Sequence, residues 1–159
     1  MTEIRVKVAD YAVSRATGIL ATIGLGSCVA IALYDDASRI GALAHILLPS
    51  VSLSRDTSNA AKFPETVIPL MLAEMRSLGA NGNVHAKIAG GSSMFGSLLP
   101  SGGINMGERN VIATREVLAA HGIPIMGEDV GGDYGRSVYF DLGDGRMRVR
   151  SLTRGESVF

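Results

Sequence analysis

The chain opens with short stretches in which apolar and polar residues alternate, and it then turns to runs that are apolar throughout. "EIRVKVADYAVS" has the two-residue period of a strand, and "TGILATIG" reads as a second. "CVAIALYD" and "RIGALAHILLP" flank the polar turn "DDAS" and are apolar at nearly every position. Strands of that kind are expected in a sheet covered on both faces. "FPETVIPLMLAEMRSLGA" changes to helical spacing, with Val67, Met71, Met75 and Leu78 on one stripe and Gly79 as the stop. Pro69 is expected to bend this helix or to mark a late start. "NVHAKIAGG" reads as another strand. "MGERNVIATREVLAAHG" reads as a second helix that turns Val111 and Leu118 inward and ends at Gly122. Strands follow in "IPIMGEDVGG" and in "RSVYFDLGDGRMRVRSL", the latter a hairpin turning at "GDG". Many strands with two helices predict an α+β class: a layered sandwich of mostly antiparallel or mixed sheet, with the helices packed on the outside. No linker, repeat or low-complexity tract divides the sequence, so residues 1–159 are read as a single domain.

Composition narrows the partners. Lys plus Arg and Asp plus Glu number 15 each, so there is no basic surplus to neutralise nucleic-acid phosphates or an anionic membrane. Ala16 to Tyr34 carries no charge, close to the roughly 20 residues of a membrane-spanning helix. It is broken by Gly18, Gly24 and Gly26 and rich in β-branched residues, which predicts buried strands and no membrane insertion. The single cysteine forms no internal disulfide, and "MTEIRVKVAD" has no apolar signal core. Both point to a cytoplasmic protein.

That cysteine, Cys28, lies where the glycine turn "GLGS" meets an apolar strand. If the two apolar strands pair about the centre of "DDAS", paired numbers sum to about 73; Tyr34 then faces Arg39 and Cys28 faces His45. Directly opposed residues project to one face with Cα atoms about 4.5–5.5 Å apart. A thiol beside an imidazole is the nucleophile–base pairing of covalent catalysis, and a neighbouring imidazolium is expected to lower the thiol pKa. The glycine turn lets backbone amides near Gly26 and Ser27 face an oxyanion. Thr22, on the strand entering that turn, can hold the far ring nitrogen. Each residue also has a plain structural reading: cysteine as a small core residue, histidine as a satisfied core group, threonine as a strand former.

Other candidates are weaker. "GLGS", "GGSSMFGS" and "SGGINMG" lack a P-loop lysine and the dinucleotide spacing, and are read as tight turns around a site wall. Arg109 and Asn110 in "GERN" brace a neighbouring loop or sit near the cleft. Asp129, Asp133 and Arg136 are read as turn bonds and salt bridges. His85 and His121 have no ligand spacing with Cys28, so neither a metal nor a cofactor is expected.

"GLGSCVAIALYD" followed by "GALAHILLP" resembles the chemoreceptor glutamine deamidase family (CheD). "AKFPETVIPLMLAEMRSLGA", "AKIAGGSSMF", "INMGERN" and "EDVGGDYGRSVYFDLGDGRMRV" resemble its further blocks in order, from about Val6 to Arg150. The resemblance implies a Cys–His–Thr triad, carried onto Cys28 as nucleophile, His45 as base and acid, and Thr22 as the group that holds His45. It leaves Ser92 and Ser93 without a role. It implies an α+β layered sandwich like that of deamidating bacterial toxins. The activity implied is conversion of glutamines to glutamate on the cytoplasmic helices of methyl-accepting chemotaxis receptors through a thioester. It further implies a CheC-type phosphatase as partner. Two alternatives remain: a docking module for receptors or phosphatase that does no chemistry, and a cysteine hydrolase acting on a small amide.

Overall fold

The chain's most apolar strands lie at the centre of the molecule. In the computed structural model, which describes residues 2–15, 17–93 and 105–159, Val29–Asp35 (β4) and Ile40–Ile46 (β5) are buried at every position. They pair antiparallel in one five-stranded sheet of order β2-β5-β4-β6-β7, with Asp10–Arg15 (β2), Val84–Gly90 (β6) and Ile125–Val130 (β7). One face of this sheet packs on the helices Pro64–Ser77 (α1) and Met106–Ala120 (α2) through Ile31, Leu33, Met71, Met75 and Leu118. The other face packs on a second five-stranded sheet of order β1-β3-β8-β9-β10. Its strands are Glu3–Arg5 (β1), Ile19–Leu25 (β3), Arg136–Asp141 (β8), Met147–Ser151 (β9) and Gly155–Val158 (β10). Between the sheets lie Leu20, Ala30, Ala32, Leu43, Val138 and Phe140. Apolar runs on β4 and β5 thus reflect burial on both faces, as the sequence predicts. Both sheets are mixed: β1 runs parallel to β3 and β7 parallel to β6, and the remaining pairs are antiparallel.

Three local expectations are revised. The opening stretch forms two strands in different sheets, because the chain turns at Val8 and Ala9, where Ala9 adopts φ 57°. Helix α1 starts at Pro64, so Pro69 lies inside it and marks no late start. Lacking an N–H, Pro69 removes the bond that would reach the Glu65 carbonyl. The β4–β5 hairpin closes on the pair Asp35–Ile40, so paired numbers sum to 75 and Tyr34 faces Gly41. Asp35 is the last strand residue, 1 % exposed, and its carboxylate accepts from the Ser38 hydroxyl at 2.8 Å and from the amides of Ala37 and Gly82 at 3.2 Å. Those bonds keep it in the sheet, move the centre of the turn one residue along and shift each pairing partner by two. The expected tight turns in "GGSSMFGS" and "SGGINMG" include residues 94–97 and 101–104, which lie outside the described residues.

Leu43 is fully buried between the sheets, whereas Leu152, after β9, is fully exposed. Leu43→Ala is expected to lower unfolding stability by about 2–5 kcal/mol and Leu152→Ala by no more than about 0.5 kcal/mol, measured by denaturant titration.

Candidate active site

Cys28 lies one residue before β4, at 9 % exposure, in the layer between the sheets. His45 is fully buried on β5 opposite Ala30. The expected direct opposition of Cys28 and His45 is therefore corrected: Cys28 is two positions along, diagonal to the histidine. A shift of two preserves parity, since side chains alternate faces with a period of two. Cys28 packs in the inter-sheet layer with Ala30, the residue opposite His45, and so lies on the face that the histidine shares.

Thr22 comes from the other sheet. It is fully buried on β3, and its Oγ1 lies 2.7 Å from His45 Nδ1 and 2.7 Å from the Val6 carbonyl oxygen. The carbonyl can only accept, so the one hydroxyl proton of Thr22 goes to Val6. His45 Nδ1–H must then donate to Thr22, which leaves the lone pair on Nε2. Nε2 is buried and has no hydrogen-bond partner among the described residues. The ring is thus held in the tautomer that presents an unoccupied base.

The electrostatics revise the expectation of an imidazolium-stabilised thiolate. Burial pushes the His45 pKa down to about 4, and burial pushes the Cys28 thiol up, the backbone N–H of Cys28 itself opposing that rise. Desolvation disfavours each charged form, so the resting pair is a neutral thiol and a neutral imidazole. Any activation of the sulfur has to occur by proton transfer during attack and does not draw on a preformed ion pair.

The turn carrying Cys28 is fastened by its carbonyls. Cys28 O accepts from the Gly91 amide at 2.8 Å and Gly26 O from the Ser92 amide at 2.9 Å. Ser27 O accepts from Asn110 Nδ2 at 2.9 Å. Apart from the sulfur of Cys28 itself, no described residue accepts a hydrogen bond from the amides of Gly26, Ser27 or Cys28. Close backbone approach makes the arrangement possible. A Cβ on Gly90, where φ is +109°, would lie 2.3 Å from Cys28 O, and one on Gly107 would lie 2.3 Å from Ser92 O. Only glycine fits such contacts.

Of the remaining candidates, Asn110 braces the turn that carries Cys28, and its neighbour Arg109 lines a small groove with Pro49 and Glu65. Arg136, 2 % exposed, pairs with Asp129 at 3.0 Å and donates to Gly131 O and Ser92 Oγ, each at 2.8 Å. Ser92 in turn donates to Tyr134 O at 2.5 Å. Ser92 is thereby a structural bridge between the end of β6 and the loop before β8; its spacing in "AGGSS" carries no signal that could have said so. His85 pairs with Asp36 at 3.0 Å. Among the described residues no three metal-ligating side chains gather, and no helix is long and apolar enough to cross a membrane. A groove of about 820 Å3 on the outer face of the second sheet is lined by Ile23, Tyr134, Tyr139, Arg150 and Leu152, and Cys28 does not line it.

Comparison with known proteins identifies the family. The family model described as CheD chemotactic sensory transduction matches residues 47–151. That segment starts just beyond His45, but similar proteins extend over the whole site. One from Caldanaerobacter subterraneus subsp. tengcongensis is 48% identical over 153 residues, covering 96% of this chain and 94% of its own. Others from Moorella thermoacetica and Pyrococcus horikoshii are 45% and 40% identical, covering 96% and 99% of this chain and 92% and 98% of theirs. All three are named probable chemoreceptor glutamine deamidase CheD. With similarity at that level over nearly its full length, the chain belongs to the CheD family.

Proposed function

We propose that this protein deamidates glutamine side chains of methyl-accepting chemotaxis receptors, with Cys28 as nucleophile, His45 as base and acid, and Thr22 as the group that orients His45. The observation that carries this reading is the buried, unpartnered Nε2 of His45, held by Thr22 on the strand face that Cys28 shares. The names of the similar proteins supply the substrate class.

The chemistry runs in two halves. As the Cys28 sulfur attacks the carboxamide carbon, its proton passes to His45 Nε2. The carbonyl oxygen becomes an oxyanion facing the backbone amides of Gly26, Ser27 and Cys28. When the C–N bond breaks, the proton on Nε2 leaves with ammonia, and a thioester remains. A water then gives a proton to Nε2 and attacks the thioester carbon. The C–S bond breaks, the sulfur regains its proton, and glutamate is released. Net, one amide and one water become one acid and one ammonia. Each turnover adds a negative charge to a receptor helix and so changes repulsion between packed helices. The unit of function is the whole chain, residues 1–159, acting in the cytoplasm, where a CheC-type phosphatase would compete with receptors for the same cleft.

A non-catalytic docking role is the second reading. The observation that favours it is the burial of Cys28, which raises its thiol. Incubation with a receptor cytoplasmic fragment, read by peptide mass spectrometry, separates the two. Conversion of particular glutamines to glutamate is expected with the wild type and is expected to vanish in Cys28→Ala and His45→Ala. Thr22→Ala should retain a few per cent or less. Conversion that persists in Cys28→Ala ends the enzymatic reading.

The buried imidazole also predicts a pH dependence. Its folded pKa of about 4 lies below the ordinary 6.5. Between those values the unfolded chain binds more protons than the folded one, so stability falls as pH falls through that window. The limiting slope is about 1.4 kcal/mol per pH unit. Urea unfolding of wild type and His45→Gln from pH 7 to pH 4 should give a shallower decline in the variant; parallel curves would contradict the assignment.

A further inference from the structure

The β4–β5 ladder ends at the pair Val29–Ile46, just short of the nucleophile turn. Were it to continue, Cys28 would pair with Leu47. The two segments instead separate, and the Leu47 and Leu48 amides both bond to Lys62 O, at 2.9 and 3.0 Å. Into that fork reaches the side chain of Asn110, fully buried, from the second turn of α2. Its Nδ2 donates to Ser27 O at 2.9 Å and to Leu47 O at 3.2 Å. One amide thus joins the segment that carries the nucleophile to the segment that follows the base. Both bonds need N–H donors, which fixes the orientation of the amide and turns Oδ1 away. Oδ1 is buried and unpartnered among the described residues, so the side chain is retained there by its two donor bonds alone. An orphan buried acceptor is costly, a cost that marks the donor bonds as the purpose of the residue. Of the three carbonyls that fasten the turn, those of Gly26 and Cys28 are held by the backbone of residues 91 and 92. Ser27 O alone depends on a side chain.

We propose that Asn110 is a positioning residue for the reaction: it sets the separation between Cys28 and His45 by clamping Ser27 O to Leu47 O where the strands diverge. This rests on the reading of Cys28 and His45 as nucleophile and base. Removal of the clamp lets the turn move relative to β5. The effect therefore falls on kcat, with KM little changed, because misplacement of reacting groups by an ångström costs about 10²-fold.

The comparison is between Asn110→Asp, which keeps the shape and removes both donors, Asn110→Ala, and the control Thr114→Val. Thr114 lies one turn further along the same buried helix face, and its Oγ1 likewise has no partner among the described residues. The two readouts are glutamine deamidation on a receptor fragment and the pH profile of Cys28 alkylation by iodoacetamide. The Asn110 variants are expected to lose about 10- to 100-fold in kcat with KM within about twofold. Their alkylation midpoint should fall towards that of an ordinary thiol as the turn loosens. Thr114→Val should match wild type in both. The proposal is overturned if the folded Asn110 variants keep kcat and alkylation profile within about twofold of wild type, if Thr114→Val shows the same loss, or if neither Asn110 variant folds, which would make the role purely structural. Alkylation is read without substrate, so absent wild-type deamidation would refute the assigned reaction and leave the clamp still measurable.

Discussion

The hydrogen bond between Thr22 and His45 joins the two sheets within their mainly apolar contact layer, where the Arg136–Asp129 pair is a second polar tie between them. Thr22 belongs to β3 and His45 to β5, and both are fully buried. The imidazole therefore acquires its orientation only when the sandwich closes. A polar pair in that position tolerates little error, because a buried donor or acceptor left unmade costs about 1–3 kcal/mol. The apolar layer formed by Leu20, Ala30, Leu43, Val138 and Phe140 supplies the burial that drives closure, and the polar pair registers the sheets within it.

Around this pair the backbone takes over tasks that side chains perform elsewhere. The Cys28 turn is held through its carbonyls, which leaves its amides out of the anchoring bonds. Gly90 lets β6 press against that turn, and Gly107 lets α2 press against Gly91 and Ser92, at distances no side chain would allow. The buried Arg136 fastens the end of β6 to the loop before β8 from behind. Rigidity on the non-reacting side is what leaves the reacting side free to present donors.

Much of this was legible in the amino-acid order. The runs "CVAIALYD" and "RIGALAHILLP" announced a sheet covered on both faces, and β4 and β5 are buried throughout. The two helices ended at the glycines that marked them. Hairpin arithmetic put Cys28 and His45 on one face but misjudged their stagger. The two-residue error came from Asp35, which looks like a turn residue and is a buried strand terminus. Local composition cannot report that Gly82, distant in sequence, donates to its carboxylate. The charge state of the site was not legible either. A cysteine near a histidine suggests an ion pair, but desolvation by the packed sheets acts on both groups, and it is a property of the assembled layers. For Asn110 the sequence offers a loop brace or a place near the cleft and does not name its partners; the two carbonyls it holds lie at Ser27 and Leu47, remote along the chain.

The order Val6 carbonyl, Thr22 hydroxyl, His45 ring has a polarity. Each member donates to the one before it, so every dipole points its negative end towards the imidazole's Nδ1 side. Should Nε2 take up a proton, the positive charge appears at the head of a column already aligned to receive it, and no hydroxyl has to rotate. The solvation that water would supply by reorienting is built into the resting geometry, so the response to charging is immediate and carries little reorganisation.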